Sequence, residues 1–160
     1  MICEQDNTIT CQKMRVAELF SILFHMKLFI GAKALIVHEG KVLLVREAAY
    51  DEGTNEGKWD VPGGRINPEE PILEGLQREV TEESGLIIEP GEVLGVFETF
   101  PTIKGEACHI VRVYYEATPQ TLEVALSQDH AEFAWVTVSD LEGKECVNDV
   151  SELVKSVLHN

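Results

Sequence analysis

The feature that most constrains this chain is the run from residue 64 to residue 86, which reads GRINPEEPILEGLQREVTEESGL. It predicts an amphipathic helix with clear ends, because Pro71 suits the first turn of a helix and Gly85 suits the left-handed position that ends one. The predicted apolar stripe of this helix consists of Leu73, Leu76 and Val80. Such a helix has to lie against a core, so the run predicts a folded domain around it.

The same helix carries negative charge where a helix tolerates it poorly. Glu79, Glu82 and Glu83 are three and four residues apart, so they share one flank, and each like-charge pair costs roughly 0.2–0.5 kcal/mol. They also lie near the carboxyl end, where the helix dipole is already negative. This pattern predicts a cation site made only of oxygen ligands, which suits Mg²⁺ or Mn²⁺, with Arg78 orienting the carboxylates. A solvated acidic face is the alternative, and the glutamates alone do not separate the two.

The complete run resembles the Nudix box, G-x5-E-x7-R-E-U-x-E-E-x-G-U, in which U is an aliphatic residue. All nine specified positions match: Gly64, Glu70, Arg78, Glu79, Val80, Glu82, Glu83, Gly85 and Leu86. The preceding WDVPGG at residues 59–64 also resembles the strand and turn that lead into the box. Glu69 is a mild departure, because the family often has glycine there.

The resemblance implies a Nudix-like α/β/α sandwich with a mixed β-sheet in a single domain, α/β in class. The apolar pattern independently predicts strands at 28–37, 41–46, 59–61, 86–88, 93–100, 109–117 and 134–138 and a closing helix at 148–158. A turn at Pro90 and Gly91 is predicted to separate the two middle strands, and the strand at 109–117 is predicted to be central. We assign residues 1–26 to an N-terminal extension of uncertain order and 27–160 to the domain.

The resemblance also implies an activity, the hydrolysis of a pyrophosphate bond in a nucleoside diphosphate derivative. It implies that Glu79 and Glu83 bind the metal, with Glu82 as a third or water-mediated ligand and the backbone carbonyl of Gly63 on the same ion. Arg78 and Glu70 are implied to orient the ligands. The general base is left open between a box glutamate and two acids of the loop before the last strand, Asp129 and Glu132, each of which is equally well explained as a surface acid or helix cap.

Composition restricts the partners. A net charge of −15 disfavours a nucleic-acid polymer and leaves a small nucleotide as the expected substrate. The four cysteines form no C-x-x-C pair, which predicts reduced thiols and a cytoplasmic protein. The apolar stretch at 16–30 is too short and too interrupted by charge for a membrane span. Residues 15–26 could form an amphipathic helix that packs on the domain or in a homodimer; alternatively, Met26 is the natural start.

The substrate is predicted from weaker signals. Pro101 lies fifteen residues after Leu86, a spacing that resembles the ADP-ribose pyrophosphatase branch, and the polar loop at 49–58 could close over a two-part substrate. ADP-ribose or a related nucleotide sugar is therefore favoured. The alternative is a MutT-like nucleoside triphosphate pyrophosphohydrolase, and a non-catalytic nucleotide-binding module is less favoured because every box glutamate is present.

Overall fold

A computed structural model describes residues 26–48, 55–147 and 149–159. The strands are β1 (Lys27–His38), β2 (Lys41–Glu47), β3 (Trp59–Asp60), β4 (Ile88–Thr99), β5 (Thr102–Ile103), β6 (Glu106–Pro119) and β7 (His130–Val136). The helices are α1 (Ile72–Ser84) and α2 (Val150–Leu158), with a short 3₁₀ turn at Ser139–Leu141. None of the described helices is long and apolar enough to span a membrane.

The described strands form one mixed sheet. Its main order is β3-β2-β1-β6-β4, with β7 paired to β2 and β5 paired to β6. Strands β1 and β6 run parallel over a long register, from Lys27 beside Cys108 to Ile36 beside Ala117, and the other pairs are antiparallel. The two parallel strands are central, as predicted for residues 109–117, because strands buried on both faces tolerate apolar residues at successive positions.

One helix covers each face of the sheet, because successive side chains on a strand point to opposite faces. On β1, Leu35 belongs to the cluster that packs against α2, whereas Ala34 and Ile36 belong to the cluster that packs against α1. Leu76 and Val80 are the fully buried apolar residues of α1. This arrangement confirms the predicted α/β/α sandwich with a mixed sheet.

Two local predictions were wrong. The turn expected at Pro90 and Gly91 does not separate two strands, because β4 is continuous from Ile88 to Thr99. Its pairing with β6 instead shows register shifts between Pro90 and Gly95. In α1, Leu73 is exposed and does not extend the apolar stripe; Ile72, one residue earlier, packs against the core instead.

The ends of α1 agree with the sequence. Pro71 occupies the N-cap position, and Gly85 ends the helix with φ of 72°. The predicted helix at 15–26 falls outside the described residues except for Met26, and so does most of the loop at 49–58, of which residues 55–58 are described. The division into an extension and a domain stays a prediction.

Candidate active site

The turn at residues 62–64 is fixed to the edge of β1 by backbone hydrogen bonds. The Ala34 N–H donates to the Pro62 carbonyl at 2.8 Å, and the Ala32 N–H donates to the Gly64 carbonyl at 3.0 Å. Gly63 has φ of 123°, and a Cβ there would overlap the Ala32 carbonyl oxygen. Only glycine combines a favourable positive φ with the absence of a Cβ, which explains the residue type at this position.

Glu79 and Glu83 are four residues apart on α1, and both side chains contact the loop at residues 62–64. A Cβ at Gly64 would overlap the Glu79 carboxylate, so the absence of a side chain makes room for the acid. The Gly63 N–H donates to Glu83 Oε2 at 2.8 Å. The turn and the helix therefore bring the Gly63 backbone and two of the predicted metal ligands together.

The Glu83 carboxyl lies in an environment that disfavours its ionised form. Burial raises its pKa to about 7, although the Lys33 ammonium and the Gly63 N–H partly offset the effect. Asp60 and Glu79 raise the pKa further through charge repulsion. A positive charge beside Glu83 would favour the carboxylate.

Arg78 ties the acidic residues of the box together. Its Nε–H donates to Glu70 Oε1 at 2.7 Å and its Nη2–H to Glu70 Oε2 at 2.9 Å, a two-pronged pairing. Its Nη1–H groups donate to Glu79 Oε1 at 2.8 Å and to Glu82 Oε2 at 3.1 Å. Arg78 also donates to the Arg65 carbonyl at 3.1 Å. These hydrogen bonds hold the pKa of Glu70 at about 2, with the Arg78 guanidinium as the main cause and the Asn67 backbone N–H as the next.

The donor set fits a hard divalent cation in its chemistry. The Glu79 and Glu83 carboxylates both lie against the turn at Gly63 and Gly64, and they offer oxygen, as Mg²⁺ and Mn²⁺ require. Glu82 is placed differently, because its side chain is 60% exposed and reaches outward to Arg78. Among the described residues, no three His, Cys, Asp or Glu side chains already converge as a complete side-chain metal cage. The site thus fits an ion that keeps several waters or substrate oxygens as ligands, as Mg²⁺ usually does.

A cavity of about 250 Å³ opens beside these residues. It distinguishes the two candidate acids, because only one of them lines it. Asp129 lines the cavity together with Gly63, Gly64 and Glu83. Glu132 lies on β7, where its Oε2 accepts a hydrogen bond from Arg46 Nη2 at 2.9 Å, and it is not part of the cavity lining. The structure therefore brings Asp129, but not Glu132, to the predicted metal ligands, while the role of each stays a prediction.

Three residues of the cavity escaped the sequence analysis. His130 Nε2 lies 3.9 Å from Glu83 Oε1, and burial followed by repulsion from Lys33 lowers the pKa of His130. Lys33 and Asp60 form an ion pair at 3.0 Å with side chains only 15% and 17% exposed. Burial alone would lower the pKa of Lys33, but Asp60 and then Glu83 outweigh it and raise the pKa above its ordinary value. A lysine inside an otherwise apolar predicted strand was the signal that could have identified this pair.

A second cavity, of about 210 Å³, adjoins the first. Both are lined by Asn55, Ile110 and Arg112, and the second also reaches Pro101 and Thr99, whose Oγ1 is buried without a hydrogen-bond partner. The carbonyl of Pro101 accepts a hydrogen bond from the Cys108 N–H at 2.9 Å, so the backbone at this position joins the end of β4 to β6.

Comparison with known proteins agrees with this geometry. A family model for the NUDIX domain matches residues 28–155. The nucleoside triphosphatase NudI of Klebsiella pneumoniae is 32% identical over 115 residues, which cover 68% of this chain and 81% of NudI. The human 8-oxo-dGDP phosphatase NUDT18 is 39% identical over 74 residues, 46% of this chain and 22% of NUDT18.

The fold is also found among solved structures. The crystal structure of a MutT protein from Methanosarcina mazei Go1 superposes with a TM-score of 0.69 at 32% sequence identity. The superposition covers 82% of this chain and 93% of that protein. The similarity therefore extends well beyond the 23 residues of the box.

Proposed function

This chain belongs to the Nudix family and is a pyrophosphohydrolase acting on phosphorus anhydrides, and on that premise we propose that it cleaves nucleoside triphosphates or closely related nucleoside polyphosphates with Mg²⁺. The observation that carries the proposal is the turn at Gly63 and Gly64: its Gly63 N–H donates to Glu83 at the edge of the cavity, and the Glu79 carboxylate lies against Gly64. A pyrophosphate bond presents its negative oxygens to such an edge only when a cation lies between them.

Nudix hydrolases generally use a divalent metal, and the residues here indicate where it would bind. Glu79, Glu83 and the Gly63 carbonyl would hold the ion, and Glu82 would contribute through water because its side chain is exposed. When bound, the ion supplies neutralisation of the phosphate oxygens and a more acidic water. Arg78 keeps the Glu79 carboxylate oriented toward the turn, so that less order has to be created when the ion binds.

Asp129 is our first candidate for the residue that takes a proton from the attacking water. It lines the cavity, and its backbone is fixed on both sides: its carbonyl accepts from the Ala48 N–H at 2.8 Å and its N–H donates to Ser127 Oγ at 3.4 Å. Glu132 is the weaker candidate because Arg46 engages its carboxylate outside the cavity. A box glutamate, Glu83, remains the other assignment because it lies in the same cavity.

The choice of triphosphates departs from the ADP-ribose preference inferred from the sequence. NudI, which shares 32% identity with this chain over most of its own length, is a nucleoside triphosphatase by name. Pro101, the main ground for the ADP-ribose branch, has a structural role in the turn after β4, and most of the loop at 49–58 lies outside the described residues. The similarity to NudI therefore outweighs the position of one proline.

A nucleotide sugar of the ADP-ribose kind stays as the second candidate because of the adjoining cavity. The two cavities share Asn55, Ile110 and Arg112, so a substrate with a second sugar would find a continuous groove. The cytoplasmic location and the homodimer predicted from the sequence stay predictions.

A substrate panel tests the proposal directly. The full chain with Mg²⁺ is incubated with standard and oxidised nucleoside triphosphates, nucleoside diphosphates, ADP-ribose and dinucleotides, and the products are identified by chromatography. We expect kcat/KM for at least one triphosphate to exceed that for ADP-ribose by tenfold, about 1.4 kcal/mol of transition-state preference. A tenfold preference for ADP-ribose would favour the second candidate instead, and no turnover of any compound would refute both.

A further inference from the structure

Lys33 is a largely buried cation that neither the box nor the proposed metal ligands account for. It lies on β1 and lines the first cavity, with its side chain 15% exposed. Its Nζ is 3.0 Å from Asp60 Oδ2 and donates to the Val61 carbonyl at 3.3 Å. An ammonium group has three N–H donors, and these two contacts use two of them.

The cavity has to attract a polyphosphate although its acids repel one. The acids in its lining are Glu47, Asp60, Glu83 and Asp129, so a cation is needed next to the phosphates as well as between the carboxylates. Among the described residues, Lys33, Arg65 and Arg112 are the lysine and arginine side chains in the lining.

Of these three, Lys33 is the best placed for the phosphates. The Arg65 guanidinium lies over the Phe29 ring, 3.9 Å from its centroid. Arg112 lies at the junction with the second cavity. Lys33 is the cation whose charge acts directly on Glu83, at the end of the cavity where Gly63 marks the proposed metal position.

A purely structural role explains Lys33 poorly. Taking an ion pair out of water costs more than apolar residues of similar size would cost in the same place, so a buried pair is weak evidence of a contribution to stability. The ion pair has a functional explanation if the lysine binds a third partner. A phosphate oxygen suits this role, because it can accept the remaining N–H of a compact cation.

We propose that Lys33 is a substrate-binding residue that donates its remaining N–H to a phosphate oxygen of the bound nucleotide, while Asp60 and the Val61 carbonyl hold the ammonium in place. This inference rests on the proposed function, because it assumes that the phosphates lie beside Glu83 and Gly63. It adds to the metal site a contact that recognises phosphate without metal.

The test uses a double variant that removes the lysine without leaving an orphaned charge. In Lys33→Met with Asp60→Asn, the pair is replaced by two neutral residues of similar size, so the net charge of the cavity is unchanged. Binding of a nucleoside monophosphate and of the corresponding nucleoside is measured by calorimetry on the full chain in chelator, for each standard base. Lys155→Met, on α2 outside the cavity lining, is the matched lysine control.

We expect the double variant to bind the monophosphate at least about tenfold more weakly than the wild type, the scale of one hydrogen bond to a charged group. Nucleoside binding and the melting temperature should change little, and Lys155→Met should match the wild type. If the double variant does not fold, Lys33→Gln is measured instead, with the same loss expected.

Two results would overturn the assignment of Lys33. One is monophosphate binding by the neutral variant within twofold of the wild type. The other is a wild-type protein that binds nucleoside and monophosphate equally well in chelator. Because these measurements involve no turnover, a failure of the substrate panel with intact phosphate binding would refute the proposed function separately.

Discussion

Replacing Arg78 by lysine tests whether the shape of the guanidinium, and not only its charge, organises the site. Arg78 directs five N–H···O contacts to three carboxylates and one backbone carbonyl. A lysine presents its donors from a single nitrogen, so it cannot span Glu70 in two-pronged fashion and also reach Glu79. We therefore expect Arg78→Lys to release the Glu79 carboxylate almost as fully as Arg78→Ala.

The magnitude follows from what the released carboxylate would do. Glu79 fills the space left free by Gly64, and a shift of about 1 Å in a catalytic group costs on the order of 100-fold in rate. That loss corresponds to about 2.7 kcal/mol of barrier. We expect kcat to fall by about 30- to 100-fold in both variants, with the lysine variant within about threefold of the alanine variant.

The assay is steady-state hydrolysis of the best substrate at saturating Mg²⁺, with the melting temperature recorded alongside. Arg46→Lys is the matched control, because Arg46 pairs with Glu132 at 2.9 Å through side chains that are 38% and 49% exposed. Such a pair contributes little, so activity should stay within about twofold of the wild type. An Arg78→Lys enzyme with nearly full activity would show that the site needs only a nearby positive charge, and the orienting role would be withdrawn.

Three further outcomes are expected. Glu83→Gln should lower kcat by on the order of 100-fold, whereas Glu69→Gln, just before the specified Glu70, should have little effect; equal losses in steady-state assays would indicate a merely charged surface. Gly64→Ala should lower both activity and Mg²⁺ affinity, measured by calorimetry, because its Cβ would overlap the carboxylate beside it, and unchanged affinity would contradict that packing. The pKa of Glu70, lowered from 4.5 to about 2 mainly by Arg78, makes this pair stabilising above pH 4.5, a contribution lost as the pH falls toward 2. Glu70→Gln should therefore show a shallower loss of melting temperature between pH 4.5 and 2, and a curve parallel to the wild type would exclude the linkage.

The sequence by itself determined the helix, its ends and the flank on which its glutamates lie. Pro71 and Gly85 set the bounds of α1 through backbone preferences that need no tertiary contact, and both are found where predicted. The spacing of Glu79 and Glu83 placed their side chains on one flank for the same local reason.

Tertiary structure decided which other charged residues lie beside this helix, because their positions depend on contacts between segments distant in the chain. From the sequence, Asp129 and Glu132 are equally good candidates for the general base. The pairing of β7 with β2 places Glu132 beside Arg46 and outside the cavity lining, whereas Asp129 lines the cavity. Lys33 joins the site because β1 runs under the turn at residues 62–64, a contact between residues about thirty positions apart that no local pattern encodes. Local preferences thus supplied the acidic helix, and the packing of the sheet determined which other charges meet it.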